Sequence, residues 1–180
     1  MLIRAAESIL VVIDVQERLL PAMQAPARTI RNTKLLLDAA RECDVPVLVT
    51  EQYSKGLGPT VSEIAAAADG AQVIQKIHFS CMEEPAFADA FRALDRRQAI
   101  LVGMEAHVCV VQTAASLLEQ GFEVFVVTDA TASRTLESEA ACLTRMTASG
   151  AHVVTTEMVV FEWLGKAGTP AFKRLLPAIR

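Results

Sequence analysis

A cysteine at the point where a strand runs into a helix is placed like a nucleophile, and Cys109 has that setting. The stretch from Gln98 to Ala115 reads as a buried strand, a turn at Gly103, and a helix whose start carries Cys109. The positive end of a helix dipole favours thiolate over thiol, and backbone N–H groups of such a turn can face an oxyanion. Two other strand ends offer partners. Asp14 follows the apolar run Ile9-Leu-Val-Val-Ile, and Lys76 follows Gln72-Val-Ile-Gln. A carboxylate delivered to a partly desolvated edge suits a general base, and a lysine beside it balances charge. Each residue has a plainer reading. A free cysteine is most often a small core residue, an aspartate a turn cap, and a lysine a snorkelling surface group. As a set, acid, ammonium and thiol make consistent chemistry: the aspartate takes the thiol proton and the thiolate attacks.

The elements that must position them alternate along the chain. Apolar strands are expected at 8–14, 46–50, 72–76, 98–103, 123–128 and 151–155. Helices are expected at 26–43, 60–68, 84–94, 107–120 and 136–149, with two short ones near 159–164 and 170–176. Residues 51–59 read as a polar, glycine-bearing loop. Short apolar strands alternating with helices imply a six-stranded, mainly parallel sheet covered on both faces, a three-layer α/β/α domain spanning 1–180. Sites in such sheets form beyond the carboxyl ends of the strands, where strand order reverses. Asp14, Glu51, Lys76, Gly103 and Asp129 all fall at that edge.

Composition narrows the partners. The chain is 52% hydrophobic, with a mean hydropathy of +0.34. No apolar run approaches the roughly 18 residues that span a bilayer. We expect the surplus apolar surface to serve subunit contacts, in a homo-oligomer that is a dimer or larger. The tail after Met158, with Phe161, Trp163 and Phe172, is a candidate for that contact. Net charge is −4 and no Lys/Arg cluster stands out, so no nucleic-acid partner is expected. Cys43, Cys81, Cys109 and Cys142 lack CxxC spacing, and the N-terminus does not read as a signal peptide. They are expected to be free thiols in the cytoplasm. Cys81 is close to Lys76 in sequence, so it is either a pocket residue or a bystander. His78, His107 and His152 form no zinc motif. The glycines near Gly56 and Gly58 lack phosphate-loop spacing, which argues against a flavodoxin-like cofactor binder.

Four segments together resemble the isochorismatase-like cysteine hydrolases, a superfamily that includes nicotinamidases. They are Val11-Val-Ile-Asp-Val-Gln, Gln75-Lys-Ile-His-Phe-Ser, Leu101-Val-Gly-Met-Glu-Ala-His-Val-Cys-Val and Thr128-Asp-Ala-Thr-Ala-Ser-Arg. The resemblance covers nearly the whole chain and implies a Rossmann-like fold. It implies that Asp14 is the base, Lys76 its partner and Cys109 the nucleophile. It also implies a cis Met104–Glu105 peptide and an oxyanion hole from the Glu105 and Cys109 amides. Glu105 itself is either structural or a selector of substrate. Gln16, Glu51, Gln52, Tyr53 and Phe79 are the expected lining of a small-molecule pocket. Nicotinamidases resemble D-x-H after the second strand, whereas this chain has Thr50-Glu-Gln-Tyr-Ser-Lys-Gly-Leu-Gly. No catalytic metal and no cofactor are therefore expected. That segment is similar to the "isochorismatase domain-containing" subgroup. The implied activity is cleavage of a small C–N, amide-like bond through a thioester. The alternative is a non-catalytic binding protein with a vestigial site.

Overall fold

The computed structural model describes residues 1–179. Six strands form one parallel sheet: β1 (Ser8–Ile13), β2 (Val47–Gln52), β3 (Gln72–Lys76), β4 (Gln98–Met104), β5 (Glu123–Ala132) and β6 (His152–Val154), in the order β3-β2-β1-β4-β5-β6. The helices are α1 (Pro26–Glu42), α2 (Ser54–Leu57), α3 (Ser62–Ala67), α4 (Pro85–Ala93), α5 (Val111–Glu119), α6 (Leu136–Ala148), α7 (Thr156–Leu164) and α8 (Pro170–Ile179).

β1 is apolar throughout because helices cover both of its faces. Leu10 and Val12 pack with Leu36 of α1 and Val160 of α7 on one side. Ile9, Val11 and Ile13 pack with Phe87 of α4, Leu117 of α5 and Met146 of α6 on the other. This is the doubly wound α/β arrangement that the alternation predicts. Strand order reverses at β1, which is followed by β2 on one side and paired with β4 on the other. The carboxyl ends of β1 and β4 therefore bound the crevice where ligands of such sheets bind.

Three local differences from the sequence reading matter. β2 runs two residues further than expected, because Glu51 and Gln52 pair in register with Gln75 and Lys76 of β3. Gly103 is not a turn but lies inside β4, at a register shift against β5 between Leu101 and Gly103. Its φ is +108°, and a Cβ there would meet the carbonyl oxygen of Ile13 at 2.0 Å. β5 continues to Ala132 so that Thr131 and Ala132 pair with Gly103 and Met104 beyond the shift. Gly103→Ala is expected to cost about 3 kcal/mol or more, since a backbone clash adds to a strained φ. Urea unfolding checks this; a stability within 1.4 kcal/mol or so of the parent, a tenfold change in the unfolding constant, contradicts it.

Candidate active site

The left-handed turn at Asp14, with φ of 52°, ends β1 and leaves the carboxylate fully buried. Thr50 on β2 donates its hydroxyl to Asp14 Oδ1 at 2.7 Å. Lys76 at the end of β3 donates to Asp14 Oδ2 at 2.7 Å, in an ion pair with no solvent exposure. Lys76 Nζ also lies 2.7 Å from Gln52 Oε1 and 3.3 Å from the carbonyls of His78 and Phe79. It is 3.5 Å from Cys109 Sγ. An ammonium has three hydrogens, so every one has an acceptor. Burial works to strip Lys76 of its proton, but the facing Asp14 carboxylate outweighs it and the net effect holds the ammonium above its ordinary range.

Cys109 is not in the first turn of a regular α-helix. It sits in a π-helical turn, Ala106–Val110, between β4 and α5. The apolar pattern of a π-turn and an α-helix is nearly the same over five residues, so the sequence reads both as helix. The Met104–Glu105 peptide before it is cis. The thiol is shifted opposite to the helix-dipole expectation. Burial pushes Cys109 up first and the Asp14 carboxylate second, while Lys76 pulls only partly back. At neutral pH the resting group is thus a thiol beside a closed carboxylate–ammonium pair. The thiolate ultraviolet absorbance lost in Cys109→Ala is expected to be absent at neutral pH and to appear only above the ordinary thiol range. A clear thiolate signal at neutral pH contradicts this.

Cys81 is buried behind the same group. Burial and the Asp14 charge push its thiol up to about 12. Its N–H is held by Thr113 Oγ1 at 2.9 Å, and Thr113 in turn donates to the Cys109 carbonyl at 2.7 Å. This thiol belongs to the wall of the site.

The expected pocket lining divides in two. Gln16 and Glu51 are tied into the framework by their hydrogen bonds. Gln16 is fully buried; its amide donates to the carbonyls of Gln52 and Gly58 and accepts from Gln52 N. Glu51 points away from Thr50 and Gln52, as strand alternation requires. It accepts from Thr60 N, Thr60 Oγ1 and Gln75 Nε2. Burial raises its pKa, but these donors outweigh it and the net shift is downward. Gln52 faces Lys76 and anchors its ammonium. Tyr53 and Phe79 are open to solvent beside that lysine. Asp129 caps the start of α7, accepting from Thr156 N and Oγ1. Glu105 is close to Arg134 and His107. Thr50 is the site residue that sequence reasoning missed; an alternating strand extended to Gln52 is the signal that points to it.

Among the described residues no group of three or more His, Cys, Asp or Glu side chains is arranged to hold a metal ion. A cation would also face the Lys76 ammonium. No described helix is long and apolar enough to cross a membrane.

The chain is similar to known proteins over nearly its whole length. Isochorismatase domain-containing protein 2 from Danio rerio is 38% identical over 168 residues, covering 93% of this chain and 84% of the relative. The MAR1 ribonuclease structure from Caenorhabditis elegans is 36% identical with a TM-score of 0.93, covering 99% of this chain and 92% of that one. The YcaC gene product from Escherichia coli, described as an octameric hydrolase of unknown specificity, is 26% identical with a TM-score of 0.93, covering 99% of this chain and 90% of that one. The isochorismatase domain model matches residues 8–158, most of the chain, and the chain belongs to the isochorismatase family.

Proposed function

We propose that this family hydrolase is a metal-independent cysteine enzyme of one domain that cleaves an amide-like C–N bond in a small molecule. One observation carries the reading: a buried ammonium lies 2.7 Å from Asp14 and 3.5 Å from Cys109 Sγ. Asp14 takes the Cys109 proton as Sγ attacks the carbonyl carbon. The Glu105 and Cys109 amides receive the oxyanion. The C–N bond breaks as Asp14 returns that proton to the leaving nitrogen, and a thioester remains. Asp14 then deprotonates water, the C–S bond breaks, and the proton returns to Sγ. Lys76 anchors Asp14 throughout and balances the negative charge that passes between Asp14 and Sγ. Tyr53 and Phe79 offer apolar contact to the substrate.

A thiol that is neutral at rest fits this order of events, because the attacking thiolate exists only while Asp14 holds its proton. The test is a panel of small primary and N-alkyl amides, read by amine release and by mass spectrometry of the acid. Turnover of at least one amide is expected. A labelled RNA substrate belongs in the same experiment, because the C. elegans neighbour carries the name ribonuclease. The net charge of −4 and the buried position of Lys76 argue against a polyanion in this site. RNA cleavage without amide turnover would overturn the reading.

The four cysteines are free, which supports a reducing, cytoplasmic setting. Self-association is part of the proposal, as in the octameric E. coli relative.

A further inference from the structure

Asp14 is tied to Thr50 of β2 twice. Its N–H donates to the Thr50 carbonyl at 3.1 Å, and its Oδ1 accepts the Thr50 hydroxyl at 2.7 Å. Lys76 holds the other oxygen, Oδ2, at 2.7 Å. With a donor on each oxygen, the carboxylate plane is held against turning. A carboxylate has about four lone-pair sites, so room remains on it for a proton in transit. Thr50 itself is fully buried. It is β-branched and lies in a strand, so its hydroxyl has little freedom to turn away. Beside it is a thiol that the reaction leaves idle: Cys81 Sγ is 4.0 Å from Thr50 Oγ1, the long limit for a sulfur donor. Burial and the Asp14 charge keep that group a thiol, and hence a donor. A hydroxyl both accepts and donates. With Cys81 on its lone pair, the Thr50 hydrogen is left to point at Asp14.

We propose that Thr50 is a positioning residue that aims the Asp14 carboxylate for both of its proton transfers, and that Cys81 keeps the Thr50 hydroxyl turned toward Oδ1. The inference rests on the reaction proposed above and adds what holds its base in line. Asp14 takes the Sγ proton and then delivers it to the leaving nitrogen, so one carboxylate serves two atoms in turn. Loss of the hydroxyl would change both basicity and aim. A carboxylate short of a donor holds a proton more firmly, which helps the first transfer and hinders the second. Poor aim hinders both, and a misplacement of about 1 Å costs about a hundredfold. Aim is therefore the larger effect.

The test is kcat and KM for Thr50→Val and Thr50→Ser on one alkyl amide of the panel and on the p-nitroanilide of the same acid. Valine keeps the shape and loses the hydroxyl; serine keeps the hydroxyl and loses the methyl. Thr50→Val is expected to lose about tenfold to a hundredfold in kcat on the alkyl amide, the worth of a hydrogen bond to a charged group, with KM little changed. Thr50→Ser should lose clearly less. On the p-nitroanilide the loss in Thr50→Val should shrink, because that leaving nitrogen departs with less help from a proton. A role in packing alone would reverse the order of the two variants and treat both substrates alike. Cys81→Ala is a second probe, independent of whether Thr50→Val folds by circular dichroism; it should lose about twofold or more on the alkyl amide. A wild type that cleaves neither substrate would sink the proposed reaction and this inference with it. In an active wild type, three results would each sink this role alone: parental kcat in Thr50→Val or in Cys81→Ala, a Thr50→Ser more impaired than Thr50→Val, or equal losses on the two substrates.

Discussion

Cys109→Ala is expected to abolish amide turnover while leaving the fold intact. Cys109 is almost fully buried, and its loss removes a single sulfur from a well-packed wall. The stability cost is that of a small cavity, about 1 kcal/mol. The catalytic cost is of another size. Without Sγ there is no thioester, and removal of a nucleophile from a comparable hydrolytic site lowers kcat by about a millionfold. Cys109→Ser is the sharper form of the same experiment. It keeps the shape and a hydroxyl, but a hydroxyl surrenders its proton far less readily than a thiol, so turnover should still fall by orders of magnitude. Rates are measured on the best amide of the panel, with folding followed by circular dichroism. Parental turnover in either variant contradicts the nucleophile assignment.

Lys76→Met should produce the largest loss of stability of any single change at the site. The substitution leaves the Asp14 carboxylate buried with no counter-charge, a situation that costs about 3–5 kcal/mol. The pair itself is not a source of that much stability, because its desolvation nearly offsets its attraction. Asp14→Asn/Lys76→Met, which removes both charges, should therefore recover much of the loss. The pH dependence has a definite sign. The folded pKa of Lys76 is raised, so its contribution is fully present below the ordinary lysine range. It is lost only as pH rises through the higher folded value. The deficit of Lys76→Met should accordingly be flat through the neutral range. Denaturant titrations of the wild type and the two variants test this. A double variant no more stable than Lys76→Met would mean that the residues do not act as a buried pair.

Much of this architecture was legible because apolar strands report burial directly. Ile9 to Ile13 is apolar at every position, and only a strand covered on both faces tolerates that. The same logic delivers Asp14 to the sheet edge as the first charged residue after that run, and Lys76 ends the shorter, half-exposed strand β3 at the same edge. The site's inner wiring was less legible. Gln16 and Glu51 read like pocket residues because polar side chains near a strand end serve ligands and framework equally well. Their framework hydrogen bonds depend on the return of Gly58 and Thr60 to the sheet, a contact no local pattern announces. The state of Cys109 was hidden for a related reason. A helix start argues for thiolate, but burial and the Asp14 charge argue more strongly for thiol, and both depend on tertiary packing. Gly103 was read as a turn because a glycine after an apolar run usually is one; here it lets β4 pass the Ile13 carbonyl.

The most direct test of the central claim is to catch the intermediate. Wild-type protein is mixed with its best amide, quenched in acid within milliseconds to seconds, and examined by intact-mass and peptide mass spectrometry. We expect a transient mass increase equal to the acyl group, mapped to Cys109 and absent from Cys109→Ala. Turnover that proceeds with no acylated Cys109 at any time, or at an undiminished rate in Cys109→Ala, would show that the bond is cleaved without a thioester and would contradict the account.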